Sequence, residues 1–284
     1  MKDSDPLYLI HKSELAYPSG STICFMNDRF YIMGDDASEI LVLNDKLVEV
    51  ERVPLFPKDE NIRIPKAFKA DIEASVVIRQ NGVECVLFLG SGSVSPHRDY
   101  AYLFEPESKN FSRIDFSYFY DQLRNQFAQL NIEAATTLGN SIALGIRANR
   151  SYPDNYIALA IPGKLSPEFQ RKVLLKLPVE HSGISGMDYD AMRDILFITF
   201  SSENTSNSYD DGEIGESYLA IIQEAADQIQ KDELYISSLT KLSDLSTELN
   251  FQKVESVALA ADNRQLLVVA DNDQGNTNLF LIGF

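Results

Sequence analysis

Ile72-Glu73-Ala74-Ser75, Ile132-Glu133-Ala134-Ala135 and Val254-Glu255-Ser256-Val257 open three segments of this chain with one phrase: an aliphatic residue, a glutamate and a small residue. Pro18-Ser19-Gly20-Ser21 and Ile184-Ser185-Gly186-Met187 are variants with serine in the glutamate place. The copies fall about 50 to 70 residues apart, the period of a propeller or array in which each repeat is one supersecondary unit.

Each phrase leads into the same order of apolar runs and turns. After Ser19, apolar runs at 22–25, 30–33, 40–43 and 47–53 are separated by Asn27-Asp28 and by the loop Gly34-Asp35-Asp36. Asn, Asp and Gly tolerate left-handed backbone and close tight turns, so the pattern is a four-stranded antiparallel meander. After Glu73 the runs are 74–78, 85–89, 101–104 and 111–116, with Asn81-Gly82 in the first turn. After Glu133 they are 134–138, 142–146, 156–161 and 172–177; after Ser185, 186–189, 195–200, 217–222 and 234–238. After Glu255 only 256–260, 266–269 and 278–282 remain, one strand short, and residues 7–10 supply a spare strand at the other end. Pairing the two closes the ring and removes its open edges. The fold expected is all-β: a single β-propeller domain over residues 1–284, with five four-stranded blades and the N-terminal strand closing the last. A sixth blade within 201–253 is the alternative. Helices are expected at 117–129, with Ser117 as N-cap, and in the polar stretches 223–233 and 241–249, with a helical turn at 166–171.

Bulk composition narrows the partners. The formal net charge is -17, so nucleic acid and anionic membrane are not expected as partners. The two cysteines, Cys24 and Cys85, fall in different units and read as free thiols. No CxxC or Cys/His spacing suggests zinc. The N-terminus is polar and no apolar run approaches the length of a membrane helix. A cytoplasmic monomer is expected as the sequence stands, and a periplasmic or secreted one if a signal peptide has been removed.

Strand geometry then sets where chemistry can gather. The start of each first strand and the loop after each second strand share one rim. That rim should hold Ser19, Glu73, Glu133, Ser185 and Glu255, with Asp35, Asp36, residues 91–98, residues 147–150, residues 202–204 and residues 271–273. Carboxylates so gathered require a cation or raised pKa values. Oxygen-only donors suit Ca²⁺ or Mg²⁺, with Glu73, Glu133 and Glu255 as metal ligands, and no organic cofactor is expected. His97, Arg98, Arg147 and Arg150 would bind an anionic group beside it, with Asp35, Asp36, Glu203, Asp271 and Asp273 completing the ligand site. The competing reading makes the glutamates locks that pair with Arg147 and hold blades together. Lys58, Arg63, Lys66 and Lys69 read as a solvated basic loop.

The order of phrases resembles the esterase-like phytase propellers and related bacterial propellers of unknown activity. The matching stretches are Ser19-Gly20 leading to Gly34-Asp35-Asp36, Lys69-Ala70-Asp71-Ile72-Glu73-Ala74, Ile132-Glu133-Ala134-Ala135, Ser185-Gly186-Met187-Asp188 leading to Ser201-Ser202-Glu203, and Val254-Glu255-Ser256 leading to Ala270-Asp271-Asn272-Asp273. The resemblance implies a propeller and a phosphoester-type or metal-linked activity; Ser185 departs from its glutamate pattern. Gly90-Ser91-Gly92-Ser93 lacks the strand-turn-helix setting of a nucleophile elbow, and no catalytic nucleophile or base can be named. Two functions suit these residues. One is a binding or scaffold propeller for a small anionic ligand or a protein partner. The alternative is a metal-dependent hydrolase of a small anionic ester, a phosphoester or a lactone.

Overall fold

The computed structural model describes residues 6–56, 64–65, 68–162, 166–203, 214–271 and 275–284, the side chains of Glu203 and Ile214 excepted. Five sheets follow one another in the chain. Blade one is β2 (Gly20–Met26), β3 (Arg29–Gly34), β4 (Glu39–Asn44) and β5 (Glu49–Pro54). Blade two is β6 (Ile72–Gln80), β7 (Val83–Gly90), β8 (Tyr100–Glu105) and β9 (Asn110–Asp115). Blade three is β10 (Ile132–Leu138), β11 (Ser141–Ile146), β12 (Asn155–Ile161) and β13 (Glu168–Leu175). Blade four is β14 (Ser182–Asp190), β15 (Ile195–Glu203), β16 (Ile214–Gln223) and β18 (Ser238–Lys241). Blade five joins β19 (Lys253–Leu259), β20 (Gln265–Asp271) and β21 (Thr277–Gly283) to the N-terminal strand β1 (Tyr8–Leu15).

The closure expected from the strand count is present. Strand β1 lies antiparallel on β21, from Tyr8 opposite Gly283 to Leu15 opposite Thr277. The inner strands β2, β6, β10, β14 and β19 touch in that order, and β19 returns to β2. Middle strands are continuously apolar and buried, as in Ile40-Leu41-Val42-Leu43, because neighbouring blades cover both faces of each sheet. Outer strands are more exposed, as in β9, where only Phe111 and Ile114 are half-buried and the other residues are exposed. Apolar clusters fill the gaps between successive blades. Val86, Phe88 and Phe104 pack on the first blade, Leu144 and Ala158 on the second, and Leu196 and Ile198 on the third. The turns use the expected residues: Asn27 and Asp28 have φ of 51° and 58°, and Asn81 has 52°.

Three local expectations are corrected. Residues 168–175 form strand β13 rather than a helical turn, because Phe169, Arg171, Val173 and Leu175 alternate inward at a period of two. Blade four takes its outer strand from Ser238–Lys241, four residues later than the run at 234–238 suggests. The displaced segment, β17 (Glu233–Leu234), crosses to lie parallel to β13 as a fifth strand of blade three, where Leu234 is fully buried. The stretches 223–233 and 241–249 hold only α2 (Ala225–Gln228) and 3₁₀ turns at Leu242–Asp244 and Thr247–Leu249.

The helix expected at 117–129 is α1 (Ser117–Arg124), and it buries Phe119, Tyr120 and Leu123 between blades two and three. Phe116 rather than Ser117 occupies the N-cap; the Ser117 hydroxyl is taken by Asp115. The Tyr120 hydroxyl donates to the Gly90 carbonyl at 2.6 Å. Gly92, at φ 68°, lets the Tyr120 ring approach so closely that a Cβ there would lie 2.4 Å from it. Both cysteines are buried and free. No helix among the described residues is long and apolar enough to cross a membrane.

Candidate functional site

The repeated phrase has one structural meaning. In every blade the inner strand carries a β-bulge near its start, and in blades two to five the bulged residue is the repeated position. Ile72 pairs with Gly90 and Ala74 with Leu89, which leaves Glu73 unpaired in the ladder. The same break isolates Glu133 between Ile132 and Ala134, Ser185 between Ile184 and Gly186, and Glu255 between Val254 and Ser256. In blade one it falls between Gly20 and Thr22. The equivalent of Glu73 there is therefore Ser21, not Ser19, two residues later than the phrase alone suggests. A bulge re-aims its extra side chain out of the pleat, and five bulges repeat that offset around one ring.

Blades one, two and three bring their acidic groups together. One carboxylate oxygen from each of Asp35, Asp71 and Glu73 lies within 4.8 Å of the others. The Lys69 ammonium sits among them, bonded to Asp35 Oδ2 and, at 2.8 Å, to Asp71 Oδ1. Arg98 Nη1 reaches Asp71 Oδ2 at 2.5 Å and the Ser93 hydroxyl at 2.6 Å. The Ser91 hydroxyl, fully buried, donates to Asp71. Glu133 accepts from Asn131 Nδ2 at 2.6 Å and faces Arg147 Nη1 at 3.4 Å. Arg147 then crosses to blade four, donating to the Ile184 carbonyl at 3.2 Å and to the Ser201 hydroxyl at 3.1 Å. Glu255 faces Lys253 at 3.1 Å.

Glu73 differs from the rest. It forms no hydrogen bond or ion pair among the described residues. Burial pushes its carboxyl well above the usual range, and the charges of Asp71, Glu133 and Asp35 push in the same direction, with Lys69 opposing. Asp35 also keeps one buried oxygen, Oδ1, without a hydrogen-bond partner among the described residues. For Lys69 burial disfavours the charged form, but Asp35, Glu73 and Asp71 outweigh it and hold the ammonium protonated. Two carboxylates at such a separation repel by roughly 3 kcal/mol at an effective dielectric of 20. Lys69 and Arg98 offset part of that, and Glu73 is left over.

The other expected residues sort by place. Arg98 is buried with Asp71, so it is held by protein rather than facing outward. His97 and Arg150 are exposed. Asp36 is buried behind the loop, and Asp271 ends β20 half-buried. The Glu203 side chain and Asp273 lie outside the described residues, as do Lys58, Arg63 and Lys66. Lys69 is not solvated: its side chain is 10% exposed. Asp71, Ser91, Ser93 and Asn131 enter the site without having been singled out as ligands. The spacing Lys69, Asp71, Glu73 is the available signal, since alternate residues of an extended segment share a face.

Further along the channel, a cavity of about 280 Å³ is lined by Cys24, Ser75, Thr136, Asp188 and Asn263. Asp188 accepts from the Leu259 N–H at 2.7 Å, the Tyr189 N–H at 2.8 Å and the Thr136 hydroxyl at 3.2 Å, so it ties blades three, four and five. Burial raises its carboxyl, and these donors counter it. The Thr22 and Ser75 hydroxyls, 2.7 Å apart, join blades one and two. Burial pushes the Cys24 thiol up to about 12, which leaves it protonated and unreactive at neutral pH.

Residues 16–283 match the model of a family of unknown function, DUF6929. No curated protein matches the chain. Similar solved structures include virginiamycin B lyase from Staphylococcus aureus, 10% identical with a TM-score of 0.48, over 98% of this chain and 100% of that one. A DUF4221 family member from Bacteroides vulgatus is 12% identical with a TM-score of 0.42, over 97% and 98%. The β-propeller domain of Cps50 (Swd1) from Myceliophteria thermophila is 9% identical with a TM-score of 0.45, over 97% and 99%.

Proposed function

This chain belongs to the DUF6929 family, and we propose that it is a binding propeller whose channel mouth takes a positively charged group on Glu73. One observation carries the reading: among the described residues, Lys69, Arg98, Arg147 and Lys253 each have a carboxylate partner at the mouth, and Glu73 has no hydrogen bond or ion pair. Lys69 and Arg98 serve Asp35 and Asp71, Arg147 serves Glu133, and Lys253 serves Glu255. Of the residues that suggested a small anionic ligand, Arg98 and Arg147 are engaged with protein acceptors, and His97 and Arg150 are exposed. No described residue at the mouth supplies an activated nucleophile.

The test is calorimetric titration of the wild type and Glu73→Gln with methylguanidinium and with calcium. Binding that weakens as pH falls from 8 to 5, the direction in which a raised carboxyl takes up its proton, and that falls at least tenfold in Glu73→Gln, is the expected result. Equal binding by the two proteins, or none by the wild type, overturns the reading.

A second reading is supported by the cluster of Asp35, Asp71 and Glu73. Three carboxylate oxygens within 4.8 Å suit Ca²⁺ or Mg²⁺. Such an ion would have to displace the Lys69 ammonium, and it would supply Lewis-acid activation of a small anionic ester, a phosphoester as the phytase-like resemblance implies or a lactone. Metal content of the purified protein by mass spectrometry, followed by a phosphoester and lactone screen, separates this reading from the first.

A further inference from the structure

We propose that the mouth face docks a protein partner that inserts a lysine or arginine side chain towards Glu73 and lays flanking apolar side chains on exposed aromatic rings around it. The proposal rests on the cationic reading of Glu73 and adds the partner's chemistry. In an antiparallel meander, connections from strand four of one blade to strand one of the next lie on the same face as those from strand two to strand three. That face is the mouth. It carries Phe68, 78% exposed, between β5 and β6; Tyr118, 72%, on α1; Tyr152, 46%, between β11 and β12; and Phe251, 74%, ahead of β19. Exposed aromatics around a charged centre are the composition of a recognition surface rather than of plain solvent-facing loops.

The backbone that carries these rings is tied to the fold at several points. Phe68 precedes Lys69, which is fixed by Asp35 and Asp71, and its N–H is bonded to the Pro65 carbonyl at 2.8 Å. Tyr118 stands on the outward side of a helix whose other side is buried and whose Arg124 is tied to Asp99 and, at 3.0 Å, to the Gly92 carbonyl. Tyr152 closes a turn on Asn149. Phe251 has a φ of 54°, costly for a bulky residue, and being exposed it recovers little by packing. Backbone fixed before binding loses little freedom on contact.

Charge selects the occupant. The chain carries a net charge of -17, and the mouth gathers Asp35, Asp71, Glu73, Glu133 and Glu255 with Lys69, Arg98, Arg147 and Lys253, while Arg150 stands exposed on the loop between β11 and β12. A nucleic acid or an anionic bilayer is repelled. A second copy of this chain brings the same negative charge. A segment with one basic residue between apolar ones matches both the unpaired carboxylate and the rings.

The experiment sorts a displayed random heptapeptide library on the wild type, with counter-selection on Glu73→Gln. The most enriched peptide is then titrated by fluorescence anisotropy beside methylguanidinium. Enrichment of a lysine or arginine flanked by apolar residues is expected. The peptide should bind at least tenfold tighter than methylguanidinium. Phe68→Ser with Phe251→Ser should weaken the peptide at least fivefold and leave methylguanidinium binding unchanged, with an unaltered melting temperature. If methylguanidinium binds through Glu73 but no basic peptide is enriched, the partner is wrong and the cationic reading stands. If neither binds, both fall. Enrichment of acidic peptides overturns the proposal, as does self-association of the wild type that the two serine substitutions abolish.

Discussion

Two half-buried carboxyls, both raised by desolvation, differ in the donors that face them. Glu73 has no donor to set against its desolvation and its acidic neighbours. A carboxyl raised in the folded state binds its proton more tightly there than in the unfolded chain. Its contribution is favourable at low pH and is lost as pH rises from the unfolded value near 4.5 through the folded one. Glu73→Gln is therefore expected to raise Tm at pH 8 by about 2 °C and to leave it unchanged at pH 4, by differential scanning calorimetry. Asp188, also raised, has the donors that Glu73 lacks: Leu259, Tyr189 and Thr136 all donate to it. Asp188→Ala strands those donors, at about 1 kcal/mol or more each, and should lower Tm by several degrees at pH 7. Glu73 was legible because its type recurs at a repeated position. Asp188 was not: three residues after each bulge stand Cys24, Val76, Thr136, Asp188 and Ala258, with no type in common. Lys69 was misread because a lysine in a basic loop is usually solvated, and nothing local announces carboxylates from another blade.

At the scale of elements, turn chemistry and apolar runs placed most strands, and the shortfall of one strand in blade five foretold its partner. The hidden features were non-local. The short β17 leaves its own blade for the neighbouring one because Leu234 finds a fully buried position beside Leu175. The bulges are equally silent in sequence, since the extra residue shows only against its partner strand. Strand β1 makes the sharpest test. It covers the edge of β21 over Tyr8 to Leu15 and is pinned by Lys12 to Glu248 at 2.6 Å. Deleting residues 1–15 is expected to expose that edge and to give concentration-dependent aggregation on size-exclusion chromatography, while far-ultraviolet circular dichroism still reports a β-rich chain.

For the molecule as a whole, the acidic surface and the mouth act in the same direction. A net charge of -17 draws a basic segment from a distance, and added salt screens that attraction. Raising NaCl from about 50 to about 500 mM should slow association with the basic peptide about tenfold and change its dissociation rate far less, measured by stopped-flow fluorescence. A peptide held mainly by the aromatic rings would show no such change.

The pairing of β1 with β21 also sets an order of events during synthesis. Strand β1 leaves the ribosome ahead of all five blades' inner strands, yet its partner, Thr277 to Gly283, is made after them. Blades one to four can assemble while translation continues. The ring itself cannot shut until β21 has emerged, and for that interval two unpaired β edges stand open to other chains. This seven-residue strand therefore acts as the timer for native assembly. A stop codon just upstream of it would yield a product that holds four complete blades and stays permanently unclosed.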